Sequence, residues 1–215
     1  MPNILLSRAW NAGRYQFGMA ERALYNRLRR ARLKNVRFSI ISCNCTGSTM
    51  YKDLGLPYLS PTANLSIFAE DFVKMCGDLP YYMSQPVRPA EPDPGEPPQG
   101  LLGDVRIHFV HYANFCQAAA AWQRRTARIN WDNIFLVGCD RDGSTYDIMR
   151  RFDQLPYPKV FLTHKPYPEI SCAFPVPGFQ ERGQLGDITA FRPGLIRRRY
   201  MDAFDYVSFL NGESY

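Results

Sequence analysis

Apolar residues recur every three or four positions in some stretches of this chain and form short unbroken runs in others. Phe17, Ala20, Leu24, Leu28 and Ala31 share one helical stripe, with Arg22, Arg29, Arg30 and Arg32 off it and Arg27 near its edge. Residues 15–34 therefore predict a basic amphipathic helix. Such a helix either covers a sheet face with its apolar side or lies on an anionic membrane. Val36 to Ser42 is a short β-rich run ending in a polar turn, Cys43 to Ser48. A short helix is expected at 48–54, and another at 66–75, with Glu70 and Asp71 early and Gly77 as its stop. Asp104 to Tyr112 alternates as a strand should, with Val105, Ile107 and Phe109 on one face. Phe115, Ala118, Trp122 and Ile129 mark a helix. Ile134 to Val137 reads as a buried strand, and Ser144 or Thr145 can cap the next helix, to about Gln154. Val160 to Thr163 is a further strand, 169–174 an edge strand, and Tyr200, Phe204 and Val207 a closing helix. Helices alternating with strands predict an α/β fold: a three-layer, mostly parallel, Rossmann-like sheet with helices on both faces.

At 215 residues the chain suits a single domain spanning 1–215. Within it, 1–34 is a basic N-terminal helical segment. Residues 86–99 form a Pro-rich loop, expected to be extended and mobile and too short to divide the chain. The net charge is +6. Nine Lys/Arg against the single acid Glu21 lie between Arg8 and Arg37, so the basicity belongs to that segment. It suggests a peripheral membrane contact through residues 15–34, a phosphorylated ligand or a partner. No nucleic-acid motif accompanies the charge, so nucleic acid is not expected as a partner. There is no run of 18 apolar residues and no secretory leader pattern; the expected location is cytoplasmic, peripheral to the inner membrane. The six scattered cysteines, Cys43 and Cys45 in C-x-C spacing among them, match neither a disulfide scaffold nor a structural zinc site.

Ligands of an open α/β sheet bind beyond the carboxyl ends of its strands. The segments 43–48, 111–114, 139–144 and 164–168 would meet there and gather the candidate chemistry. Cys45, in a Gly-containing loop at a helix N-terminus, is a candidate nucleophile, the alternative being a structural cysteine in a tight turn. Asn44 and the Gly47 amide are candidate oxyanion donors, and Ser48 is a weaker nucleophile or a cap. His111 and His164 stand where a general base belongs, or are satisfied loop histidines; His108, mid-strand, reads as structural. Asp140 or Asp142 could orient a histidine, and Arg141 could fork onto a phosphate or carboxylate. The loop equally reads as a capped turn. No G-x-G-x-x-G, Walker A or G-x-S-x-G pattern is present, and the EF-hand pattern fails around Gly138, so no metal ligand set is assigned.

The motifs FSIISCNCTG (38–47), YKDLGLPYLSPT (51–62), LGDVRIHFVHY (102–112), RINWDNIF (128–135) with Trp122, DRDGST (140–145), FDQLP (152–156) and KPYPE (165–169) resemble a bacterial domain family labelled "exopolysaccharide biosynthesis protein", otherwise a domain of unknown function. The resemblance covers about 36–210. It implies a role in making or modifying surface polysaccharide and no established reaction. The family favours Asn-Asn-Cys-Trp-Gly where this chain has Cys43-Asn44-Cys45-Thr46-Gly47, so an aromatic that could cover a ligand is missing. The same loop is similar over a few residues to a polysaccharide acyltransferase family with a modified Rossmann-like fold.

Three readings follow. The first is an acyltransferase acting on a glycan or its precursor. In it Cys45 is nucleophile or positioning group, His111 or His164 is base, Asp140 or Asp142 orients it, and Asn44 and Gly47 hold the oxyanion. Arg141 and Lys165 bind a phosphate of an acyl carrier or sugar nucleotide; the cofactor is not identified, acyl-CoA being one candidate donor. The second is a glycosyl- or phosphosugar-transferase using Asp140 and Asp142 with a metal. The third is a non-catalytic glycan-binding or assembly protein docked to the membrane by residues 15–34.

Overall fold

The computed structural model describes residues 2–92 and 94–214, with side chains from Gln16 onward. The first half of the basic segment 1–34 is thus followed by its backbone alone, and Asp93 of the Pro-rich stretch lies outside the described residues. Unbroken apolar runs make the central strands. β1 (Ser39–Ser42), β5 (Ile134–Cys139) and β6 (Lys159–Thr163) carry branched and aromatic residues buried on both sides, the pattern of strands covered on each face. With β7 (Ala173–Pro175) they form a four-stranded sheet in the order β1-β5-β6-β7, every pair parallel. α2 (Thr46–Leu54) follows β1, and α6 (Tyr146–Asp153) follows β5 behind a Thr145 cap on the Ile148 amide.

The parallel sheet is smaller than the alternation predicts. The strand expected over 104–112 is β4 (Val105–His108), and it belongs to a separate antiparallel sheet in the order β2-β3-β4. β2 (Val87–Ala90) and β3 (Gln99–Leu102) fall in and beside the Pro-rich stretch 86–99, so part of that stretch is sheet and not loop. Pro89 is tolerated because β2 is an edge strand, whose outer side needs no donor. α3 (Ala69–Gly77) packs on both β4 and β5, joining the two sheets. α4 (Leu79–Ser84) leads into β2, and α5 (Phe115–Thr126) follows β4 with Asn114 as its cap. A 3-10 turn (Tyr200–Ala203) and α7 (Tyr206–Leu210) close the fold.

The largest departure is α1 (Pro2–Arg32). Its apolar stripe does not cover a sheet. Phe17, Leu24 and Leu28 are 60%, 58% and 58% exposed, while Arg22, Asn26 and Arg29 are buried. The polar side wins because its charges find opposite charges, although Arg22 Nε and Asn26 Oδ1 have no hydrogen-bond partner among the described residues. Arg22 pairs with Asp53 and Asp202, Arg29 donates to Asp202 at 2.6 Å and to the Tyr206 hydroxyl, and Asn26 donates to Asp53 at 3.1 Å. A buried charge is tolerated only with such partners.

Candidate functional site

Because all four strands of the larger sheet run the same way, the loops after β1 and β5 leave one edge together. They line a cavity of about 360 Å³ containing Asn44, Cys45, Arg141 and Asp142. His111 arrives from the other sheet. An antiparallel bridge between Ser66 and His108, with both amides bonding at 2.8 Å, ties the end of β4 to the loop beneath the cavity. Five of the sequence-predicted residues thus line one cavity.

Asp140 and His164 stand behind it, not in it. The Asp140 carboxylate accepts from the His164 amide at 2.7 Å, from His164 Nδ1, and from the Leu185 amide at 3.0 Å. Burial pushes the Asp140 carboxyl above its usual range even though its bonds to His164 and Leu185 oppose that. Both side chains are nearly sealed from solvent, neither lines the cavity, and the Asp140 carboxylate is bonded to His164 and not to His111. What the pair does is anchor the 185–189 segment, whose Asp187 and Thr189 complete the cavity wall. Asp187 holds its own turn by accepting from the Thr189 amide and hydroxyl. Sequence reasoning missed Asp187 and Thr189, because 176–199 carries no strand or helix periodicity to place them.

The expected oxyanion donors are already engaged. Asn44 Nδ2 donates to Cys139 Sγ at 3.0 Å and its Oδ1 accepts from the Thr46 amide, while the Gly47 amide donates to Ser42 Oγ at 3.3 Å. Gly47 is needed for a different reason: a Cβ there would stand 2.8 Å from Ser42 Cβ, so only glycine lets α2 start this close to β1. Ser48 Oγ turns back to the Cys45 carbonyl, as helix first-turn hydroxyls do. Burial, reinforced by the facing Asp187 carboxylate, pushes the Cys45 thiol up, so the thiolate needed for attack is disfavoured. Lys165 lies 5.5 Å over the Tyr167 ring, outside the cavity.

Arg141 bridges the walls. Its Nε faces the Asp142 carboxylate at 3.4 Å and its NH1 donates to the Gly186 carbonyl at 3.2 Å. Asp142 has a left-handed backbone (φ 55°), uncommon for a residue with a side chain, and its carbonyl accepts from the Ala69 amide. Asp140 and Asp142 therefore do not form the paired carboxylate of a D-x-D metal site. No cluster of three or more His, Cys, Asp or Glu suited to a cation occurs among the described residues. Thr46 is another group that sequence reasoning left out: it lines the cavity, is 1% exposed, and its Oγ1 has no hydrogen-bond partner among the described residues.

A larger groove of about 740 Å³ runs between α4 and α5, past Trp122 and Trp131. It holds no titratable side chain, so the smaller cavity is the candidate reaction site.

An uncharacterized protein of Haemophilus influenzae is similar to this chain, 38% identical over 192 residues that cover 89% of this chain and 92% of the relative. Residues 17–211 match the family described as "Domain of unknown function (DUF1919)". The match runs from α1 through α7 and takes in every cavity residue described above, so this chain belongs to the DUF1919 family.

Proposed function

We propose that the cavity binds a sugar and that the protein transfers an acyl group directly to one of its hydroxyls. The single observation behind this is the polar lining: two carboxylates, Asp142 and Asp187, share one cavity with His111 and Arg141. Carboxylates accept from neighbouring hydroxyls, and Arg141 has N–H groups left to donate to sugar oxygens. With Arg141 against two acids the cavity is not net positive, which favours a neutral sugar over a phosphate-rich ligand. The motif resemblance to the exopolysaccharide biosynthesis family is the reason for placing such a step in surface-polysaccharide assembly at the cytoplasmic side of the inner membrane. The three-layer, Rossmann-like arrangement belongs to the same reading.

His111 acts as general base. It takes the proton of the attacking hydroxyl as the sugar oxygen bonds to the acyl carbon. The carbon–sulfur bond of a thioester donor such as acetyl-CoA breaks, and the proton passes to the departing thiolate. Cys45 lines the site, and its burial beside the Asp187 carboxylate pushes the thiol up, which speaks against a nucleophilic role. Incubation with acetyl-CoA and a panel of sugars and sugar nucleotides, read by mass spectrometry, tests the reading. An acetylated sugar is expected, with His111→Ala slowing its formation roughly 100-fold or more and Cys45→Ala leaving it within about tenfold. Sugar binding without any product would instead favour a glycan-binding role.

A further inference from the structure

α1 is docked by its polar side, so its apolar stripe is left facing outward. Phe17, Ala20, Leu24, Leu28 and Ala31 are all exposed. A second apolar tip sits beside it. The 192–199 segment folds back on itself through the Phe191–Arg199 bridge and the Arg192 amide to Arg198 carbonyl bond, leaving Leu195 and Ile196 55% and 56% exposed. This loop packs on α1 at Gly18: a Cβ there would stand 2.7 Å from the Arg197 side chain and 3.6 Å from the Leu195 carbonyl.

The two elements share their charge as well. Residues 16–37 and 192–199 contain eleven Lys/Arg, and the acids that pair with them are Glu21, Asp53, Asp202, Asp205 and Glu213. Glu21 is the one acid inside the two segments, which therefore carry a formal +10 before carboxylates elsewhere in the chain are counted. Arg27, three residues after Leu24 and four before Ala31, stands next to the stripe and is exposed, as are Arg30 and Arg37.

From these observations we infer that α1 and the 195–196 tip dock together on an anionic lipid surface. The apolar stripe and tip enter the headgroup boundary, and Arg27 and its neighbours meet the lipid phosphates. A second copy of the chain fits less well, because two such faces would bring like charges together. The docking is independent of what the cavity binds.

Cosedimentation of the full chain with phosphatidylcholine vesicles, with and without phosphatidylglycerol, tests the inference. Binding is expected only with phosphatidylglycerol and is weakened by salt. Leu24→Gln combined with Leu28→Gln should weaken it roughly tenfold or more. Arg27→Glu should weaken it roughly tenfold. All three side chains are exposed, so the urea midpoint should not move, and that measurement separates lost docking from lost folding. Binding that ignores phosphatidylglycerol, or survives the double leucine change, overturns the inference. So does a dimer in sedimentation equilibrium that the double change dissociates without any vesicle binding, which would assign the stripe to a second copy.

Discussion

Asp140 and Asp142 are separated only by Arg141, yet the backbone sends their carboxylates to different tasks. Asp140 is turned inward and satisfies two amides and a histidine ring. Asp140→Ala would leave the His164 amide without an acceptor and the Leu185 amide with only its long bond to the residue 140 carbonyl, in a buried setting. A loss of about 3 kcal/mol in urea unfolding is expected, with faster hydrogen exchange in 185–189. Asp142 spends its carboxylate on the cavity and strains its backbone to do so. Asp142→Gly should therefore raise stability by about 0.5–1 kcal/mol while lowering sugar turnover, and equal turnover would remove Asp142 from the site. The order Asp-Arg-Asp in the sequence marks a charged turn but carries no hint of which carboxylate faces in. That choice depends on Leu185, 45 residues away.

At the scale of elements, legibility tracks how local the forces are. β1, β5 and β6 were readable because their apolar runs are buried on both sides whatever packs there. Thr145 was readable as a cap because its partner is three residues on. α1 was readable as a helix but not in its facing. The stripe rule assumes that apolar residues turn inward, and it fails where arginines find carboxylates far along the chain. β2 and β3 were hidden by prolines and glycine, which an edge strand and a close approach to Phe109 tolerate. The α1 docking also makes a pH prediction. Burial works to raise the Asp202 carboxyl, but the Arg22 and Arg29 guanidiniums outweigh it and hold it below the usual range. A depressed carboxyl contributes stability that is present above its unfolded value, about 3.9, and is lost as pH falls through the folded value. Urea unfolding followed below about pH 4 should thus show a steep loss of stability that Asp202→Asn flattens. At neutral pH, Asp202→Ala should cost about 3–5 kcal/mol, because it removes the carboxylate of the buried Arg29 and leaves Arg22 with Asp53 alone.

Across the whole molecule, the beginning and the end of the described chain hold each other. Besides the Arg22 and Arg29 contacts, Arg32 pairs with Asp205 and Lys34 with Glu213, and Asn35 donates to the Leu210 carbonyl. Phe204 and Phe209 of the same closing segment are buried in the core, Phe209 against Phe135. Deleting residues 200–215 should abolish cooperative unfolding altogether, measured by circular dichroism, because core and ion pairs are lost together. The closure also sets an order of events during synthesis. Arg22 and Asp202 are 180 residues apart, so at 5–20 residues per second the helix leaves the ribosome roughly 10–35 s before its carboxylate. Of its polar-side partners only Asp53, 31 residues after Arg22, emerges early in that interval, whereas Asp202 and Tyr206 come last. If α1 meets a bilayer as inferred above, a nascent chain would place its leucines in lipid before the closing segment arrives, and the rest of the fold would assemble on a helix already in place.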